Sequence, residues 1–251
     1  MMASILSAVH GAAVAGGPFG PPQPVSGEAG GLHTGIGYEH REDRYRDGSD
    51  FTVRQNQVFS ELGYGTVNYG IYGRIGVSDL KIPGAFRSSQ ASVTTSGDDL
   101  KDNRKFFGAL GGQGFYPFNK AFGVGAFLQG SYAFQNFTDD ISGTRDGIPV
   151  TAALKVKKLW DVNFGIGAQA TLFRDIKLYA GPYLYYSQAK ISSSGNIPGL
   201  PFPTGEVTVH NKTNVGGFAG IDVPLARGFH LVVEGQYSER FSAGTTVAYS
   251  Y

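Results

Sequence analysis

Two acid pairs, Asp98-Asp99 and Asp139-Asp140, and a late histidine, His210, are the residues whose types could activate a water for hydrolysis. A base of that kind needs an imidazole oriented by a carboxylate within hydrogen-bond reach. His210 lies between Val209 and Asn211, with Thr208 and Lys212 beyond, and no Asp stands two residues away. Solvated loop acids are the simpler reading of both pairs. His10, His33, His40 and His230 are scattered, and no His-x-x-x-His or carboxylate cluster has metal spacing. The chain has no cysteine, which excludes thiolate sites and disulfides. Gly108-Ala109-Leu110-Gly111-Gly112-Gln113-Gly114 resembles a dinucleotide loop only in its glycines, since no helix follows, and it reads as a glycine-rich strand. No catalytic residue, metal or cofactor is expected.

A second polar set recurs on one face of alternating segments: Glu39, Arg41, Glu61, Arg74, Gln129, Asp161, Asn163, Asp222, Glu234 and Gln236. Charges turned inward must be paired or wet. These residues imply a polar, water-containing interior braced by ion pairs, with Glu39, Arg41, Glu61, Arg74, Asp161, Asp222 and Glu234 as lumen or gate candidates. The functional alternatives are a gated or very narrow pore and an ion-pair core that conducts nothing. The many inward glycines favour some open space.

The elements that position these residues are strands. Of 251 residues, 38 are Gly, 18 Phe and 14 Tyr, while only 16% are charged. From residue 30 onward the chain alternates apolar and polar residues with period two, and no helical period stands out. Leu32, Thr34, Ile36 and Tyr38 oppose His33, Gly35, Gly37, Glu39 and Arg41; Tyr69, Ile71, Ile75 and Val77 oppose Gly70, Tyr72, Arg74 and Ser78. The clearest row is Trp160, Val162, Phe164, Ile166, Ala168, Ala170 and Leu172, with Phe173 just past its end. About ten residues between aromatic ends fit a tilted strand crossing a bilayer. The reading gives ten strands, at about 31–42, 51–66, 69–80, 104–116, 121–137, 160–172, 176–190, 206–223, 229–239 and 243–251, or eight if two weak ones fail. Pro182, in the seventh, removes a ladder donor and calls for a bulge. Short turns near Asn68, Asn119, Asp175 and Ala226 alternate with longer polar loops at about 43–50, 81–103, 138–151 and 191–205. Loops 83–103 and 194–204 are long enough to bind a partner.

The segment Thr245-Thr246-Val247-Ala248-Tyr249-Ser250-Tyr251 alternates to its aromatic last residue. With the strand pattern and the loop alternation, it resembles the closing strand of small Gram-negative outer-membrane β-barrels, the OmpA-type and porin-like families, over about 31–251. The resemblance implies a single closed antiparallel up-and-down transmembrane barrel, both termini periplasmic, set in outer-membrane lipid and lipopolysaccharide. It also implies recognition of the last strand by the barrel-assembly machinery. Trp160, Phe173, Tyr249 and Tyr251 would form the lipid-facing girdle. The expected role is a small porin-like channel or passive envelope component that passes small solutes. Alternatives are a plugged surface-adhesion or scaffold protein and an omptin-like or lipid-modifying hydrolase. Net charge +1 leaves no footprint for nucleic acid. Residues 1–15 read as a signal-peptide remnant, with Ala13-Val14-Ala15 as a cleavage pattern, or as a flexible tail, since no Lys or Arg precedes that pattern and His10 interrupts the apolar run; 16–30 read as a Pro/Gly-rich linker.

Overall fold

The computed structural model describes residues 18–25, 30–47, 49–85, 93–95, 99–145, 148–196, 205–212, 214–239 and 241–251. The signal-like residues 1–15 and Asp98 lie outside them. The strands are β1 (Gly31–Asp47), β2 (Ser49–Gly65), β3 (Tyr69–Ile82), β4 (Val93–Thr95), β5 (Leu100–Pro117), β6 (Phe122–Ala133), β7 (Phe137–Arg145), β8 (Ile148–Thr171), β9 (Lys177–Asn196), β10 (Gly205–Asn211), β11 (Val215–Pro224), β12 (Phe229–Tyr237) and β13 (Phe241–Ser250). All pairings are antiparallel. The ring β1-β2-β3-β5-β6-β8-β9-β11-β12-β13 closes on itself through β13–β1 and β8–β9, a ten-stranded up-and-down barrel. Closure pairs the backbone of every strand in the ring on both sides, the condition for a sheet to stand in hydrocarbon.

The period-two faces fall as the sequence predicts. Leu32, Ile36, Leu62, Ile71, Ile75, Leu128, Phe164 and Leu184 stand exposed on the outside, and the intervening positions are buried. The turns at 66–68, 118–121, 172–176 and 225–228 all lie at the end where Gly31 pairs with Gly65 and Tyr251 N donates to Leu32 O. We call this the turn end and the opposite one the hairpin end.

Several strand details differ from the sequence reading. The loops expected at 43–50 and 138–151 are largely strand: β1 and β2 stay in register from Gly31↔Gly65 to Asp47↔Ser49, and β7 and β8 pair as far as Arg145↔Ile148. Of the loop expected at 191–205, residues 191–196 and 205 are strand, and 197–204 lie outside the described residues. Beyond the belt the hydrophobic side switches. Tyr45, Val53, Leu80, Leu154 and Val209 point inward, while Arg44, Arg54 and Glu206 point out. Polarity made these stretches look like loops. The barrel also narrows there. β6 ends at Ala133 and the β12–β13 hairpin at Tyr237↔Phe241, leaving β1, β2, β3, β5, β7, β8, β9 and β10 around the axis. β5 and β7 are bridged by Thr138 N donating to Asp102 at 2.6 Å and Lys101 N to Asp139 at 2.7 Å. Eight strands is a diameter that side chains can fill.

The predicted eighth strand is two, β10 and β11, broken at 212–214. The Asn211 side chain spans the break, accepting from Ser187 N at 2.8 Å and donating to Tyr185 O at 3.3 Å. No bulge accommodates Pro182. The β8–β9 register is the same on both sides of it, Gly165↔Tyr183 and Ala168↔Ala180, and the pairs between simply drop from the ladder. Bulges occur instead between Lys157 and Trp160 and opposite Asp79, with Lys158 and Arg104 at positive φ. The first flips the parity of β8, so that Val156 and Leu159 both face inward.

At the hairpin end, Asp99 accepts from Gly84 N at 3.0 Å and pairs with Lys81 at 3.0 Å. The Gly84 bond and then the Lys81 ammonium hold its carboxyl below the usual value. A depressed folded value means that the contribution is present above the unfolded pKa and is lost as pH falls through the folded one. Protection of the Gly84 amide, measured against its intrinsic exchange rate, should therefore be lost only below about pH 4, the ordinary Asp range, and an Asp99→Asn variant should show reduced protection already at neutral pH.

Candidate functional site

All ten residues predicted to line the interior are buried there. Seven of them form two ion-paired layers. In the lower, Arg74 Nε donates to Glu61 at 2.6 Å and its Nη1 to Gln129 at 3.0 Å, while His33 Nε2 lies 3.3 Å from the other Glu61 oxygen. The guanidinium also lies 4.8 Å from the ring centroids of both Phe59 and Tyr72. In the upper layer, Arg41 reaches Asp161 at 3.3 Å and Glu39 at 3.7 Å. Asp161 accepts from Ser131 at 2.8 Å and Asn163 at 3.1 Å, and Ser242 donates to Glu39. The structure sets Asp222 apart, near the turn end, against His230 at 2.9 Å and Lys177 at 3.6 Å.

Glu234 holds something the sequence reading did not foresee. Its two oxygens accept from the backbone N–H of Phe19 at 3.0 Å and Gly20 at 2.9 Å. Residues 18–25, read as linker, run inside the barrel. Arg74 Nη2 donates to Pro18 O at 2.7 Å, Gln113 to Pro21 O at 3.2 Å, and Gln23 N to Gln169 at 3.1 Å. The Phe19 ring stacks on Phe127 with centroids 4.0 Å apart and meets Tyr183 and Phe218 edge-on at 5.5 Å. Burying one phenylalanine this way is worth roughly 1.5–3 kcal/mol, which gives an otherwise coreless segment its anchor.

The inward glycines do not leave open space. Each makes room for a neighbour. A Cβ on Gly37 would sit 2.3 Å from the Phe59 ring, on Gly165 2.0 Å from Phe127, on Gly111 2.2 Å from Tyr72 and on Gly220 2.3 Å from Tyr179. Others face the inserted segment: Gly244 against Pro18 at 2.3 Å, and Gly125 and Gly167 against Pro22 at 2.8 and 3.0 Å. Between Pro18, Phe19, His33, Glu61 and Arg74 a cavity of about 40 Å³ remains, room for a few waters. At the hairpin end an apolar core that includes Tyr45, Leu80, Leu100, Phe137, Leu154 and Leu159 fills the eight-stranded part. No sequence signal pairs Pro18 with Gly244, since the contact joins segments more than two hundred residues apart.

The predicted girdle faces outward at both levels. Trp160 packs on Tyr186 at 5.5 Å near the hairpin end, and Tyr249 lies between Phe229 at 4.9 Å and Tyr251 at 4.8 Å at the turn end, where Phe173 is exposed. The described members of the hydrolytic set are not brought together. His210 bonds the Tyr186 hydroxyl, Asp139 accepts from Lys101 N, and β7 is three strands from β10, roughly 14 Å at 4.8 Å per strand. Among the described residues no group of three or more His, Asp or Glu could hold a metal.

No family model and no curated protein matches the chain. Solved structures do. The translocator domain of the autotransporter NalP from Neisseria meningitidis matches at 11% identity and TM-score 0.43, with 88% of each chain covered. The outer membrane protease OmpT from Escherichia coli matches at 10% and 0.41, covering 88% of this chain and 96% of its own. The toluene transporter TbuX from Ralstonia pickettii matches at 11% and 0.39, covering 98% and 97%. At such identities and scores these likenesses assign no function.

Proposed function

We propose that the chain is an outer-membrane β-barrel that stands closed and acts from its hairpin end as a surface-interaction or scaffold protein, rather than as an open porin-like channel. Two features support the membrane setting. A closed barrel carries a belt rich in exposed Leu, Ile, Val and Phe, and aromatic residues stand at both edges of that belt. Short turns at one end and long hairpins at the other are the pattern of the periplasmic and outer sides of such barrels, which supports a periplasmic position for both ends of the described barrel. The observation that carries the closed state is the interior itself: residues 18–25 occupy the turn half and the apolar core occupies the hairpin half. A conducting state would require the first to leave and the second to come apart. With the lumen filled and the hydrolytic residues apart, the outer strands and their connections are the surface left for function, and no catalytic role is assigned.

The test is planar-bilayer recording of the refolded protein, with heat-shifted gel migration as the sign of a folded barrel. Heat-shifted protein that is electrically silent is the expected result. Discrete conductance steps would overturn the closed reading and return Glu61, Arg74 and Glu234 to the status of gate residues.

A further inference from the structure

We propose that Lys155, Lys157, Lys158 and Lys190 form a binding site for the phosphates of lipopolysaccharide on the outer rim of the barrel; the site rests on the membrane setting proposed above. Strict alternation would turn one of two consecutive lysines into the barrel. The bulge at Lys158 (φ 50°) prevents this: Val156 and Leu159 take the inward positions, and Lys157 and Lys158 both remain outside. Lys157 stands directly opposite Lys190 on β9. Like charges facing across a ladder repel, and here a single carboxylate, Glu206 on β10, answers both, at 3.1 and 3.0 Å. Lys155, on the same face, and Lys158 have no carboxylate partner among the described residues. Asp140 on β7, opposite Ala153, is the other acid on this face, so four ammoniums stand against two carboxylates, a surplus that suits a multiply charged anion.

The height of the cluster selects which anion. Lys158 lies two residues beyond Trp160, about 7 Å along the strand at 3.3 Å per residue. Trp160, Tyr186 and His210 form a continuous aromatic row beneath it, with centroids 5.5 and 5.4 Å apart. Such rows sit at headgroup level, and lysine stems can lie along the apolar wall while their ammoniums reach the phosphates. The bulge at Arg104 also leaves a residue exposed outside, but it is one cation, next to the Lys105–Asp102 pair at 3.1 Å, whereas the β8–β9 face gathers four.

Trp160 is the single tryptophan of the chain and reports on both the setting and the site. The full-length protein is reconstituted in phosphatidylcholine with brominated acyl chains, then titrated with bisphosphorylated lipid A, with its dephosphorylated form and with inorganic phosphate. Quenching of Trp160 by the brominated chains establishes the membrane setting independently of any phosphate. Lipid A should then shift Trp160 emission saturably, and the dephosphorylated form should not. Lys155→Gln with Lys158→Gln should weaken binding about 25-fold, about fivefold per lysine, while Lys120→Gln at the turn end should leave it unchanged. Equal binding of the two glycolipids, or an unchanged affinity in the double variant, would overturn the site with the membrane setting intact. Inorganic phosphate binding as tightly as lipid A would reassign the cations to a free anion and overturn the lipid assignment. Absence of quenching would instead overturn the membrane setting.

Discussion

Arg74→Ala should destabilise the barrel by about 3–5 kcal/mol, the cost of stranding one partner of a buried ion pair. Arg74 satisfies Glu61, Gln129 and the carbonyl of Pro18 simultaneously. Its removal leaves the buried Glu61 carboxylate with His33 as its remaining ion-pair partner, at 3.3 Å. The variant should also loosen the inserted segment, because Pro18 O loses its donor. Double-mutant logic separates the pair from its surroundings. Removing Glu61 as well should cost less than the sum of the two single changes, by about 0.5–3 kcal/mol of coupling. Arg54→Ala is the control. Its Glu42 partner is 2.8 Å away, but both side chains are well exposed, a setting worth about 1 kcal/mol at most. Urea unfolding in lipid vesicles of the parent and the four variants measures these differences. An Arg74→Ala loss no larger than that of Arg54→Ala would show that the lower ionic layer is not structural.

Gly181→Ala is expected to have a larger effect, because nothing nearby can yield. An added Cβ would lie 1.9 Å from the carbonyl oxygen of Ile166 and 2.8 Å from Gly167 Cα. Both atoms are backbone in the β8–β9 seam, where Pro182 already lacks a donor and two residue pairs are missing from the ladder. Spreading the strands there would break further ladder bonds that hydrocarbon cannot replace. The loss should exceed about 4 kcal/mol, the range reserved for a few severe mechanisms, and the heat-shifted band should be largely absent. Gly217, Pro182's partner on the next strand, is the matched control. Its nearest atom would be 3.8 Å away, so Gly217→Ala should fold within about 0.5 kcal/mol of the parent. Equal folding of the two variants would contradict the backbone clash.

The belt was legible because one physical rule governs it. Lipid outside and a polar lumen inside impose a single alternation, so the facing of Ile36, Glu61, Arg74, Asp161 and Glu234 could be read residue by residue. The short turns were legible for a related reason: Arg174 and Asp175 adopt positive φ at a point where the apolar row stops. The rule reverses beyond the belt. At Tyr45, Leu80 and Val209 the apolar side faces inward, and a search for one sign of alternation takes the polar outer residues for loop. Lys158 shows a second limit, since a bulge shifts parity by one residue and leaves no mark in composition. The lumen shows a third. Each glycine's role depends on which ring or proline lies across from it, and Gly244 acquires its meaning from Pro18. Counting glycines suggested vacancy, whereas their neighbours show packing.

Cysteine cross-linking tests most directly whether the chain fills its own lumen, since the parent contains no cysteine. Pro18→Cys paired with Gly244→Cys places two thiols where a Cβ at position 244 would lie 2.3 Å from the Pro18 ring. Val58→Cys with Val77→Cys, directly opposite on β2 and β3, shows that oxidation proceeds in the folded barrel. Rapid formation of the 18–244 disulfide in heat-shifted protein is the predicted result. A folded barrel that closes the 58–77 bridge but leaves positions 18 and 244 as free thiols would place the segment outside the lumen and contradict the closed state.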